Sequence, residues 1–277
     1  MADVKTAAAK TGAQAGKPKN SNNFGLNLMV VLVCIAVAEL IFHFVFGSAA
    51  NFKDADKHVP ANFMGTVFMG GWVVPILMST TLTLIAFSVE RALTIVKAKG
   101  KVNSAEFVRK VQYHLANKNV DAALAECDKQ SGSVGNVMRA GLVKYREMIN
   151  NTELDTDQKV LSIQKEIEEA TSLELPMLEK NLVFLSTIAS VATLLGLFGT
   201  VLGMIRSFAS MANAGAPDAA ALAAGISEAL INTAVGIGTS FLAIVLYNFF
   251  TTLIDGITYG IDESGFTLTQ SFASNYR

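Results

Sequence analysis

Charge is scarce in this chain. Of its 277 residues, 16% are Asp, Glu, Lys or Arg, against about 25% in an average soluble domain. The net charge of −1 leaves no basic surplus, which excludes a nucleic-acid partner held by bulk electrostatics. There are only two cysteines. Cys34 falls in an apolar block and Cys127 in a charged one, so no disulfide framework is implied. The three histidines, His43, His58 and His114, are scattered, and no HExxH, CxxC, P-loop or GxSxG occurs. No metal site, cofactor or catalytic constellation follows from such a sequence, and the chain does not read as an enzyme.

The missing charge is confined to four blocks, and the mean hydropathy is +0.41. A helix crosses the hydrocarbon core in about 20 residues. The block 28–46 nearly meets this despite Glu39 and His43. A tail of some 25 residues precedes it and no cleavage site stands out after Phe46, so it reads as a retained span rather than a signal peptide. The block 59–89 has no Asp, Glu, Lys or Arg, and Trp72 marks an interfacial anchor for a span over 72–89. Two further spans are expected at about 182–208 and 222–250.

Basic residues set the direction. Lys5, Lys10, Lys17 and Lys19 precede the first span, and Arg91, Lys97, Lys99 and Lys101 follow the second. The stretch 51–58 balances two Lys with two Asp, and 211–219 has no basic residue. Both termini are therefore expected on the cytoplasmic side of a membrane that the chain crosses several times. The expected plan is a disordered tail over 1–24, an additional N-terminal span within 25–50 and a periplasmic loop over 51–67. A second span at 68–90 leads into a cytoplasmic helical domain over 91–181. The third span at 182–210, a periplasmic loop at 211–220, the fourth span at 221–252 and a cytoplasmic tail at 253–277 complete it.

The soluble block 90–180 holds 14 basic and 14 acidic residues. Ser104 and Asn119 are candidate helix N-caps, Ser133 opens another helical run, and Thr156 leads a run with apolar residues at helical spacing. A long rod from Thr156 to about Ser210, kinked near Pro176, is expected. The fold class is thus all-α: a polytopic membrane protein with four transmembrane helices and a helical cytoplasmic domain formed by long extensions of the spans. A rod with so much length outside the membrane calls for neighbours, so self-association is expected.

The last two spans are not plain hydrocarbon. Between 182 and 254 only Arg206, Asp218 and Glu228 are charged, yet both helices carry polar and small residues. Gly196, Gly199 and Gly203 form one helical stripe, flanked by Thr193 and Thr200. Small residues let helix backbones approach closely in lipid, so this stripe reads as a packing seam. On the fourth span, Glu228, Asn232, Thr239, Gly225, Gly236, Ser240 and Thr233 fall within roughly 140° when 100° is advanced per residue. The opposite arc is apolar. Polar groups over several turns point to a hydrated path or a polar partner. Two readings of Glu228 stand: a carboxyl held by a neighbouring helix or wet at the interface, and a member of an ion path. Arg206 reads as snorkelling to the interface or pairing with an acidic neighbour. Hydroxyls relay water-borne protons but do not hold the charge, and no intramembrane Asp or Lys accompanies them. An ion path here would need a partner helix with its own carboxylate.

Leu194–Phe208 (LLGLFGTVLGMIRSF) and Ile226–Asn248 (ISEALINTAVGIGTSFLAIVLYN) resemble the two signature helices of the ExbB/TolQ/MotA proton-channel family, ExbB most closely. The resemblance covers about 156–252. It implies an inner-membrane motor subunit that couples the proton motive force to TonB-dependent outer-membrane transport. It also implies a homopentamer, an ExbD-like single-span protein dimer inside the pore, and a TonB-like protein that transmits the work. The family's pore-lining threonines fall on Thr200 and Thr233, and its glutamate on Glu228. Asn232 and Ser240 join the expected ion path, and Gly196, Gly199, Gly203 and Gly236 the expected helix packing. Thr193 stands where proline is frequent in the family, Arg206 where a neutral residue is usual, and the first span adds to a common three-span plan. Alternatives are a TolQ-like envelope-integrity subunit, a motility stator, a stand-alone channel, and a structural membrane scaffold without ion flux.

Overall fold

A computed structural model of the chain describes residues 23–54, 59–213 and 219–276. The tail expected to be disordered, up to residue 22, lies outside the described residues, as do 55–58 and 214–218 in the two expected loops. The described residues form helices and no named strand. Four helical stretches, starting at Gly25, Val73, Thr156 and Leu222, are long and apolar enough to cross a membrane. The fold is all-α.

Helix α1 (Asn23–Leu40) continues into a π-helical turn, Ile41–Phe46. A short helix α2 (Phe63–Phe68) leads through a Gly70–Gly71 turn into α3 (Val73–Lys99). Helix α1 lies along α3. Among the described side chains of α1 only Cys34 and Ala38 are buried, followed by Phe42 in the π-helical turn, while Leu32, Ile35 and Leu40 face outward. A helix apolar all round suits hydrocarbon on its free side.

Helices α4 (Ser104–Ala116), α5 (Val120–Gln130), α6 (Gly132–Asn150) and α7 (Thr156–Glu179) make the charged middle block. Their starts follow local capping chemistry. Asn119 accepts from the Ala122 amide. Asn103, one residue before the expected Ser104, accepts from Ala105. Asp155 and Gln158 form a reciprocal capping box. Phe107, Val111, Leu115, Val137, Leu142 and Ile163 form the buried core here.

Two expectations change. Pro176 stays inside α7, and the rod breaks at Lys180–Asn181 instead. Asn181 has φ +65°, the left-handed conformation that Asn tolerates better than most residues. Its side chain then pins the break. Asn181 Nδ2 donates to Glu90 Oε2 at 3.1 Å, and Asn27 Nδ2 of α1 donates to Asn181 Oδ1 at 3.0 Å. Arg91, buried beside Glu90, donates to the Leu178 carbonyl at 3.3 Å at the end of α7. A cation there offsets the negative end of the helix dipole. One polar network thereby ties α1, α3, α7 and the start of α8 (Leu182–Asn213).

The second change concerns the C-terminal tail. Helix α9 runs unbroken from Ala219 to Asn275, 57 residues or roughly 85 Å at 1.5 Å per residue. Residues expected as a separate tail from 253 are the continuation of the fourth span. They belong to the helical domain: Leu268 and Phe272 are fully buried, and Phe272 meets the Tyr145 ring edge-on at 4.8 Å. The apolar spacing Ile254, Ile257, Ile261, Leu268 carries this face.

Candidate functional site

Helices α8 and α9 share the most extensive pairing in the fold, and small residues bring them together. A Cβ added to Gly196 would stand 3.0 Å from the Asn232 carbonyl and 3.1 Å from Gly236 Cα. One added to Gly236 would stand 2.6 Å from the Ala192 carbonyl, and one on Gly203 would stand 2.8 Å from the Gly225 carbonyl. Gly199 receives the Asn232 side chain, its added Cβ falling 2.6 Å from Asn232 Cβ. The glycine stripe of α8 therefore lies against α9 of the same chain. Ser207 and Ser240 stitch the seam by donating across it to the carbonyls of Leu222 and Ala189.

The polar arc of α9 is divided by this packing. On one edge of the seam, half-buried, the hydroxyls of Thr200 and Thr233 are hydrogen-bonded to each other. Thr200 also donates to the Gly196 carbonyl at 3.1 Å, and the Thr233 hydroxyl lies 3.4 Å from the same oxygen, so Gly196 borders both threonines. Each Thr hydroxyl has one proton and two lone pairs, so the pair passes a hydrogen bond on without fixed charge. Leu197, Leu230 and Ile237, each within about one helical turn of one of these threonines in sequence, are exposed.

The other edge of α9 faces α3 and the turn before it. Glu228 accepts from Arg206 Nη1 at 2.7 Å. Asn232, fully buried, donates through Nδ2 to the Gly70 carbonyl at 3.0 Å. Its Oδ1 is the one buried side-chain acceptor without a partner among the described residues. Thr239 and Thr81 share a hydrogen bond at 2.7 Å. The structure thus brings Thr200 and Thr233 together and places Glu228 and Asn232 on the opposite edge. Ser240 lies inside the seam itself.

Sequence reasoning left the partner of Arg206 open and missed the Gly70–Gly71 turn. The first had a signal. Arg206 lies six residues beyond Thr200 and Glu228 five before Thr233, so in an antiparallel pair both reach one level. The turn carried no comparable signal beyond its two glycines.

Comparison with known proteins agrees with the helices that build this site. Residues 130–263 match the MotA/TolQ/ExbB proton channel family. A Tol-Pal system protein TolQ of Pseudomonas aeruginosa is 36% identical over 123 residues, 44% of this chain and 53% of the relative. A biopolymer transport protein ExbB of Pseudomonas putida is 40% identical over 80 residues, 29% of this chain and 24% of the relative. The corresponding ExbB of Salmonella typhimurium is 42% identical over 67 residues, 24% and 28% of the two chains. The matched stretch spans about half the length of the TolQ relative, 53%, and less of the ExbB relatives.

Proposed function

We propose, from the premise that residues 130–263 are a domain of the MotA/TolQ/ExbB proton channel family, that the chain is the channel subunit of an inner-membrane motor. In this reading it couples the proton motive force to TonB-dependent outer-membrane transport. The observation that carries the reading is the Thr200–Thr233 hydroxyl pair on an open edge of the α8–α9 seam. Such a pair relays protons through bound water but has no group to hold one. We therefore assign the protonatable carboxylate to a partner, an ExbD-like single-span protein dimer, enclosed by a homopentamer of this chain with the threonine edges inward. A TonB-like protein would take up the work. One charge crossing 100 mV releases about 2.3 kcal/mol, so a few protons per cycle suffice for substantial conformational work. The basic residues flanking the spans support a cytoplasmic position for both termini in this reading.

Reconstituted with its partner, the chain is expected to pass protons. Replacing both hydroxyls (Thr200→Val with Thr233→Val) should lower that flux by about 10²-fold, in the range of losing a positioned proton-transfer group. An unchanged flux would sink the assignment of the threonines. A second reading is favoured by the length of the match to a TolQ: an envelope-integrity motor of the Tol-Pal kind. Deletion separates the two. Loss of iron-chelate uptake supports the first, and detergent sensitivity with normal uptake supports the second.

A further inference from the structure

Arg206 and Glu228 lie at the end of the α8–α9 seam farthest from the α4–α7 helices. Glu228 has only 11% of its side chain exposed, while Arg206 has 52%. Their 2.7 Å contact has a third wall. Gly71, with φ +73°, sits so close that an added Cβ would stand 2.5 Å from Glu228 Oε1 and 3.6 Å from Arg206 Nη1. No L side chain suits that backbone or that space. One turn further along α9, Asn232 reaches the Gly70 carbonyl, and an added Cβ at Gly70 would stand 2.9 Å from Ile231 Cγ2. Three elements therefore meet on one ion pair: α8 through Arg206, α9 through Glu228, and the turn before α3 through its two glycines.

The pair is placed to hold, and badly placed to conduct. Glu228 precedes Thr233 by five residues, which turns it about 140° around α9 at 100° per residue. Arg206 is about 9 Å along α8 from Thr200 at 1.5 Å per residue. The carboxylate points at the Gly71 turn and a guanidinium, away from the hydroxyl pair on the other edge of the seam. A lone charge in hydrocarbon is costly and a paired one much less so, so the pair favours the arrangement in which all three elements touch.

We infer that Arg206 and Glu228 are a positioning pair, which fixes α8 and α9 in the register that joins Thr200 to Thr233, and that Glu228 is not a stopping place for the transported ion. This rests on the proposed channel reading, and the test separates the two. In a background carrying Cys34→Ala and Cys127→Ala, Thr200→Cys with Thr233→Cys reports register by disulfide yield, independently of flux. Proton flux is measured in parallel on the complex of the full chain with its partner, keeping both threonines. Glu228→Gln and Arg206→Ala are each expected to lower crosslink yield and flux together, by about tenfold for a broken close charge pair. Arg206→Lys should stay near wild type in both readouts. The exchanged pair, Arg206→Glu with Glu228→Arg, should recover most of both losses. Flux abolished by Glu228→Gln with full crosslinking would overturn the inference and make Glu228 an ion carrier. So would an Arg206→Ala variant normal in both readouts, or an exchanged pair no better than the single variants. If the single variants fail to accumulate, the lysine and exchanged variants decide: recovery supports the pair, and failure of both rejects it. A failed channel reading shows differently, as flux insensitive to Thr200→Val with Thr233→Val while the crosslink still follows the charge pair.

Discussion

Two glycines on one helix, two residues apart, should respond oppositely to the same methyl group. Gly236 faces α8: a Cβ there would stand 2.6 Å from the Ala192 carbonyl and 2.8 Å from Gly196 Cα. Gly238 faces away, with nothing within 4 Å of its added Cβ. Carbon atoms rest at about 3.5–4.0 Å, so Gly236→Ala must part the two helices by roughly 0.7–1.2 Å at that point. Both atoms met are backbone, so no rotamer change relieves the clash. In either variant alanine favours the helix by up to about 1 kcal/mol. That gain cancels between them, and their difference isolates the overpacking, typically about 1–3 kcal/mol. The assay is thermal unfolding of the purified chain in detergent. Gly238→Ala should unfold at or above the wild-type midpoint and Gly236→Ala below it, by several degrees. Equal midpoints, or a more stable Gly236→Ala, would refute the claim that the α8–α9 seam is closed by backbone contact.

Asn181, at φ +65°, should accept Gly far better than Val. Both variants lose the side-chain bonds to Glu90 and Asn27, and the Val variant adds about 1–2 kcal/mol of backbone strain, read as a lower thermal midpoint than the Gly variant shows. Phe272→Ala removes a fully buried ring and should cost about 3–5 kcal/mol, exposing the last turns of α9 to protease while α8 stays resistant. Burial pushes the Cys127 thiol from its ordinary 9.0 up to about 12, with Asp128 adding to the shift. Above pH 9.0 the unfolded chain releases this proton while the folded chain keeps it to about 12, so stability falls as pH rises through that window. The contribution is at most about 1.4 kcal/mol per pH unit. Cys127→Ala should flatten that part of the pH profile of the thermal midpoint, and an identical slope in both proteins would argue against the buried thiol.

The all-α class and the spanning-length helices were legible because long apolar runs have few alternatives. The glycine stripe of α8 was legible too, since period and residue size together name a packing face. The division of the α9 arc was not. A helical wheel shows that Glu228, Asn232 and Thr233 share an arc, but not that α8 and α3 take its two edges. That depends on packing between segments distant in sequence, where Thr81 and Gly70 look unremarkable. The break at Asn181 was missed for a related reason. Proline attracts attention as a helix breaker, yet Pro176 is accommodated inside α7, whereas Asn181 adopts a left-handed conformation that its side-chain bonds to two other helices favour. The continuation of α9 past 253 was obscured by the loss of membrane-grade hydropathy, which ends a span without ending a helix.

The central claim is that this chain supplies half of a proton path, with hydroxyls on its side and the acid on a partner's. Its most direct test is passive proton flux into vesicles containing this chain alone, or this chain with a single-span partner bearing one membrane carboxylate. The account predicts flux only with the partner, abolished when that carboxylate is changed to its amide. Equal flux from the chain alone, or flux indifferent to the partner's carboxylate, would contradict it.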